Sequence, residues 1–316
     1  MILAARLRWI LPATLPALAL PAAPAAAAPA TWTNVKWSTT YSQPYRNSEA
    51  QGFTIGGKLY SFSGFDALKR CANSQPGGGC APTSRAYRLD PAKGWTALAA
   101  MPSENATKHG GVTHSGFATD GTYAYWAGGN TADAAGTNQI FGTREAWRYD
   151  PAANAYRRMP DLPQMRGGGE LEYLHGKLHY FGGYPIAHNS EVGDHWALDL
   201  SNQAAGWVAL APVPNPRSHM GSAVLGGRIY AIGGQHGHDA ALITQPDVDA
   251  YDPATNTWTR LANLPKPLGH ISGATFAMDG RIVVMGGETA NNAVVADVYA
   301  YTPDTNHWTA LAPLPS

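Results

Sequence analysis

Residues 226–234 read GGRIYAIGG, and residues 247–265 read DVDAYDPATNTWTRLANLP. The pattern returns at once as DGRIVVMGG over 279–287 and DVYAYTPDTNHWTALAPLP over 297–315. An apolar run ends on a small-residue pair, Gly233-Gly234 and then Gly286-Gly287. A variable loop follows, then an aromatic run ending on Asp252-Pro253 or Thr302-Pro303, then Trp258 or Trp308 and an apolar-Pro exit. Working back along the chain, the same order occurs with Gly182-Gly183 and Trp207, with Gly128-Gly129 and Tyr156, and in degenerate form with Ser63-Gly64 and Trp95. From Trp207 to Trp258 is 258 − 207 = 51 residues, and from Trp258 to Trp308 is 308 − 258 = 50. A repeat of that size means a solenoid, a propeller or an array.

Short alternating runs rich in β-branched and aromatic residues, bounded by Gly or Asp-Pro, read as strands, and no helical-period segment separates them. Each repeat then supplies about four antiparallel strands, one blade of an all-β propeller. The glycine pair allows close backbone approach and positive φ where blades crowd together. These residues resemble the kelch repeat family, in which a double Gly is followed by a Tyr and a Trp at such spacings. The resemblance covers residues 31–316. It implies a kelch-type β-propeller with five recognisable blades. Thr31-Trp32-Thr33-Asn34-Val35 is similar to the outer Trp strand of the other repeats. It is expected to belong to an incomplete sixth blade, which would leave a wedge between the first and fifth blades.

The first 30 residues are expected to be a secretory signal peptide. Arg6 and Arg8 precede the apolar run WILPATLPALAL, and the small-residue tract PAAPAAAAPA ends on Ala28-Pro29-Ala30. Pro12, Pro16 and Pro21 interrupt a run already too short for a permanent membrane helix, so no membrane span is expected. The protein is then secreted or periplasmic. Cys71 and Cys80 flank a Gly-rich stretch of one loop and are expected to pair in an oxidising compartment. Such a short loop gives about 2–3 kcal/mol in the chain-entropy account. With 22 basic and 22 acidic residues, nothing argues for nucleic acid as a partner.

Function is expected on the face where loops enter the innermost strands, because variable loops on a fixed scaffold collect binding residues. The polar candidates there are Arg46, Glu49, His114, Arg166, Glu170, Arg217, His219, His236, His270 and Glu288. Arg offers paired donors and Glu accepts hydroxyls, so the set suits a carbohydrate or an extracellular protein. His236 and His238 stand two apart on a Gly-rich loop, with His219 and His270 approaching from neighbouring strands. No third ligand is set by spacing, and neither a metal nor another cofactor is expected. Galactose oxidase is similar to kelch proteins in fold, but its copper site needs a Cys cross-linked to a Tyr, and both Cys here are placed for each other. The exported sialic acid mutarotase family is similar too. Gly286-Gly287-Glu288 looks like its Gly-Gly-Glu element, while Val294 and Val295 stand where its Arg is expected. The reading is therefore a binding scaffold. The alternative is a mutarotase-type enzyme with Glu288, Arg217 and His219 as acid–base candidates.

Overall fold

The computed structural model describes residues 35–66, 81–103, 110–238 and 241–315. The signal segment, Trp32, and both Cys71 and Cys80 lie outside the described residues. Five four-stranded antiparallel sheets follow one another along the chain. Blade I comprises Gln51–Ile55, Lys58–Phe62, Ala86–Asp90 and Gly94–Ala97. Blade II comprises Gly116–Thr119, Ala124–Ala127, Ala146–Asp150 and Ala155–Arg158. Blade III comprises Glu170–Leu174, Lys177–Phe181, His195–Asp199 and Trp207–Ala209. Blade IV comprises Gly221–Leu225, Arg228–Ile232, Val248–Asp252 and Thr257–Arg260. Blade V comprises Thr275–Met278, Arg281–Met285, Val298–Thr302 and His307–Ala310. The all-β propeller expected from the repeat is what the chain adopts.

The glycine pair ends the second strand of each blade, one strand out from the axis. Its second member is where the next blade's approach loop comes closest. The Gly129 N–H donates to the Arg166 carbonyl at 2.7 Å and the Gly234 N–H to the Leu268 carbonyl at 2.8 Å. Gly234 has φ 101°, and a Cβ there would lie 2.6 Å from Met220 Cγ. In blade I the first place is Ser63, with φ 57°. Its Oγ lies 2.7 Å from the Thr83 carbonyl and accepts from the Val112 N–H at 2.7 Å. The serine thus ties blade I to blade II through its hydroxyl.

The outer aromatic of each repeat stitches its blade to the one before. Indole Nε1 of Trp207, Trp258 and Trp308 donates to the carbonyls of Pro160, Ala211 and Ala262, at 2.8–3.0 Å. The Tyr156 hydroxyl donates to the Ala99 carbonyl at 2.7 Å. In each case the acceptor stands four places after the preceding blade's own aromatic, as 211 − 207 = 4. Trp95 donates in the same way to Tyr41, and Trp37 to Ala312. Since 41 − 37 = 4, Trp37 takes the outer-aromatic role within the described N-terminal segment, while the strand expected around Trp32 lies outside the described residues.

The apolar clusters join blades I and II, II and III, III and IV, and IV and V. Among the described residues no cluster joins blade V to blade I. There the strands are unusually open, with Leu59 on the second strand of blade I at 38%, and Phe276 and Met278 on the inner strand of blade V at 36% and 47% exposure. The two blades approach at the axis, where Gly273 lies near the Ala50 carbonyl, and at the rim, through Trp37 and Ala312.

Candidate functional site

The approach loops place one residue per blade at the same turn, just before the inner strand. Counting from the outer aromatic gives 219 − 207 = 12 and 270 − 258 = 12, so His219 and His270 are equivalent. The same step leads from Tyr156 to Gly168 and from Trp37 to Glu49. His114 holds the place in blade II, seven residues later because of a longer loop (114 − 95 = 19). All five are left-handed, with φ between 51° and 66°. A left-handed turn costs little for Gly and more for other residues, and such strain collects at functional sites. The turns are also linked: the Gly168 N–H donates to the His114 carbonyl at 2.7 Å, and the His219 N–H to the Gly168 carbonyl at 2.9 Å.

The side chains of Glu49, His114, His219 and His270 converge on a cavity of about 60 Å³ at the axis. Donor atoms of the three histidines all lie within 4.8 Å of one another. Glu49 Oε2 is 2.8 Å from His114 Nε2. Burial opposes the Glu49 charge, but the facing His114 and His270 outweigh it and hold its pKa below the usual value. His219 is 7% exposed. Burial first, then the neighbouring imidazoles, push its pKa well down, so it is neutral at physiological pH. Tyr184 stacks on His219 at 5.9 Å, while its hydroxyl accepts from Asn130 Nδ2 at 2.9 Å. Glu288 stands behind His270, its Oε2 3.5 Å from His270 Nδ1.

Gln51, Ser272 and Gly273 line both this cavity and the wider channel between the inner strands, of about 720 Å³. Glu170 and Glu172 point into that channel. Ser272 Oγ lies 2.6 Å from Glu170 Oε1 and 2.7 Å from the Met220 carbonyl. The hydroxyl has one proton for two acceptors, so when it donates to the Met220 carbonyl the contact to Glu170 needs the carboxyl's own proton. Ser222 Oγ likewise stands 3.2 Å from Glu170 Oε2 and 2.7 Å from Glu172 Oε1. Burial raises Glu170 to about 8 and Glu172 to about 7. Both carboxyls are therefore poised to exchange protons near neutrality.

Glu49, His114, His219, His270 and Glu288 thus come together as the loop-face reading expects, with Glu170 just inside. Four other candidates stand elsewhere. Arg217 is fully buried inside blade IV. Its guanidinium donates to Asp249 at 2.8 Å and to the carbonyls of Gly233 and Asn215 at 2.7 and 2.8 Å. It is a bracing residue of the blade and does not line the channel, because ten places after the aromatic the side chain turns back along the sheet. Arg166 holds the same place in blade III (166 − 156 = 10 and 217 − 207 = 10). It binds Asp194 and donates to Gln164 Oε1 at 2.8 Å. His236 Nε2 meets Asn215 Oδ1 at 2.9 Å, away from the three-histidine group. Arg46 is exposed and does not line the cavity. The sequence reading missed Ser222 and Ser272 as site residues. The offset from the outer aromatic was the signal that separates axial positions from bracing ones.

The model of the KLHDC2/KLHL20/DRC7 Kelch-repeats domain matches residues 143–315. The Kelch-like protein terF of Aspergillus terreus is 28% identical over 263 residues, covering 82% of this chain and 53% of that protein. The N-acetylneuraminate epimerase of Shigella sonnei is 37% identical over 104 residues, which is 32% of this chain and 28% of the epimerase. The chain spans between half and three fifths of the length of the curated relatives that it matches over most of its own. Among solved structures, that of YjhT superposes with a TM-score of 0.69 at 16% identity, covering 89% of this chain and 88% of that one. At that identity the superposition shows the fold alone. No helix among the described residues is long and apolar enough to cross a membrane. The family match over 143–315, on a chain whose five four-stranded sheets repeat the outer-aromatic pattern and, in four of them, the glycine pair, makes this chain a member of the kelch-repeat family.

Proposed function

We propose that this kelch propeller is exported and binds a carbohydrate through its axial face and channel. The observation that carries the reading is the lining of the channel. The carboxyls of Glu170 and Glu172, which burial shifts toward the protonated form, and the hydroxyls of Ser222 and Ser272 line it together with Phe53, Tyr173 and Phe276. Carboxyls and hydroxyls both donate and accept, matching sugar hydroxyls, and aromatic faces suit the apolar face of a pyranose. A cavity of about 720 Å³ is of the size that holds small ligands. The basic and apolar N-terminal segment supports export, and export would make the Cys71–Cys80 pairing favourable. An extracellular protein docking on the same loops is the broader form of this reading.

The two raised carboxyls favour one second reading, a sugar mutarotase. Anomer exchange needs a proton delivered to the ring oxygen and another removed from the anomeric hydroxyl, and groups titrating near neutrality do this best. Glu170 and Glu172 take the acid–base roles in this reading, because Arg217 is locked inside its blade. The similarity to an N-acetylneuraminate epimerase over 104 residues supports the choice of an acidic sugar as the first substrate to try.

A glycan array probed with the purified chain, followed by NMR of anomer exchange on every hit, tests both. Binding that Glu170→Ala weakens, without faster exchange, supports the scaffold. Accelerated exchange lost in Glu170→Gln supports the enzyme. No glycan bound above background would sink the carbohydrate reading, and a secreted-protein pull-down would then carry the broader one.

A further inference from the structure

The three axial histidines have a geometry that sugar binding does not require. Each sits on a different blade at the same left-handed turn, and each turns Nδ1 toward an oxygen of its own blade. His114 Nδ1 is 3.0 Å from Thr113 Oγ1, His219 Nδ1 is 2.9 Å from Ser218 Oγ, and His270 Nδ1 is 3.5 Å from Glu288 Oε2. An oxygen that holds Nδ1–H fixes the tautomer whose Nε2 carries the lone pair, which is how metal-ligating histidines are usually supported. Their donor atoms converge within 4.8 Å. Glu49 lines the same cavity, and its carboxylate meets His114 Nε2 at 2.8 Å. In blade III the equivalent place is Gly168, so no side chain fills the centre, and the cavity of about 60 Å³ exceeds the roughly 10–15 Å³ that one water needs.

We propose that His114, His219 and His270, with Glu49 as fourth donor, bind one divalent transition-metal ion of the zinc class at the mouth of the channel. Three imidazoles and a carboxylate are a donor set suited to zinc, and to copper, nickel or cobalt of the same charge. Donors at about 2.0–2.1 Å from a tetrahedral ion stand about 3.3 Å apart. The rings must therefore draw in by about 1.5 Å from their present spacing. His114 and His270 have the freedom for this, at 11% and 24% side-chain exposure, and His219 is the packed member of the three. This site is not the His236–His238 pair that the sequence singles out; it lies on the axial face that the carbohydrate reading also uses, and because its test reads zinc and cobalt alone the two readings fail separately.

The test uses the full purified chain after dialysis against EDTA. Zinc is titrated by calorimetry, and cobalt(II) is followed by its visible d–d bands. The expected result is one ion per chain and tetrahedral-type cobalt bands. His114→Ala, His219→Ala and His270→Ala should each lower affinity about 100-fold or more. His236→Ala should leave it unchanged. If His219→Ala fails to give a cooperative melt, His270→Ala and Glu49→Gln on the less buried side decide the matter. Absence of cobalt bands in the unaltered chain, or zinc affinity unmoved in folded His270→Ala, would overturn the site.

Discussion

Arg217 shows how residue type alone misleads. Its guanidinium suggests a ligand clamp, yet both it and its partner Asp249 are fully buried, and Arg260 Nε adds a second contact to Asp249 at 2.8 Å. Removing one partner of a buried pair leaves the other charge uncompensated. Arg217→Ala is expected to cost about 3–5 kcal/mol of stability, measured by urea unfolding, with glycan binding of the remaining folded chain unchanged. A loss below about 1 kcal/mol would refute the bracing role. Glu170 makes the opposite case. Its folded pKa is raised from 4.5 to about 8. Folded Glu170 keeps a proton that the unfolded chain releases, so its contribution is complete below about pH 4.5 and is lost as pH rises through about 8. Glu170→Gln keeps a donor for Ser272 and removes the ionisation. Its stability should therefore fall less than that of the unaltered chain between pH 5 and 8, by about a few kcal/mol at the upper end. Parallel pH profiles for the two chains would disprove the assignment.

At the scale of the element, the third-to-outer-strand turn couples blades. Asn256 is left-handed at φ 52°. Its Oδ1 accepts from the Ala211 N–H at 2.9 Å in blade III and from the Tyr251 hydroxyl at 2.9 Å in its own blade. Asn306 repeats both bonds with Ala262 and Tyr301, and Asn154 with Ala99 and Tyr149. Asn tolerates the left-handed region better than other non-Gly residues, which suits it to the turn. Asn256→Ala removes the acceptor and keeps the strained φ, so a loss of about 1–3 kcal/mol is expected in thermal or urea melts. Asn256→Gly, which relieves the φ, should recover part of that loss. Equal losses for the two variants would show that φ contributes nothing there.

At the scale of the whole molecule, stability is distributed unevenly around the axis. The inner strand of blade III, Glu170–Leu174, has neighbours on both sides and includes Leu171 at 0% exposure. The inner strand of blade V, Thr275–Met278, is exposed along most of its length. Since local opening follows the apolar contacts that hold a segment, amides of Gln51–Ile55 and Thr275–Met278 should exchange well before those of Glu170–Leu174 and Gly221–Leu225. Uniform protection around the ring would show that blades I and V are as well supported as the rest. Trp37→Phe, which removes the Nε1 bond to Ala312, should speed exchange in blades I and V and leave blade III unchanged.

The repeat was legible in the sequence because the residues that build it answer to local physics. Glycine pairs, Asp-Pro turns and an aromatic every 50 or so residues are demanded by backbone geometry and by packing against an identical neighbour, wherever the blade stands in the ring. The loop face was legible for the same reason, and His219, His270, Glu49 and His114 could be chosen as polar residues approaching the axis. Which of those side chains meet was decided only by the tertiary structure. Arg217 and His219 are two residues apart in one loop, yet one turns into its sheet and the other faces the axis, because the left-handed turn at His219 reverses the direction of the chain between them. The pairing of Ser272 with Glu170 spans 102 positions. It exists because separate blades bring their inner strands to one channel, and the raised pKa of Glu170 follows first from that burial, with Glu172 on the same strand adding to it.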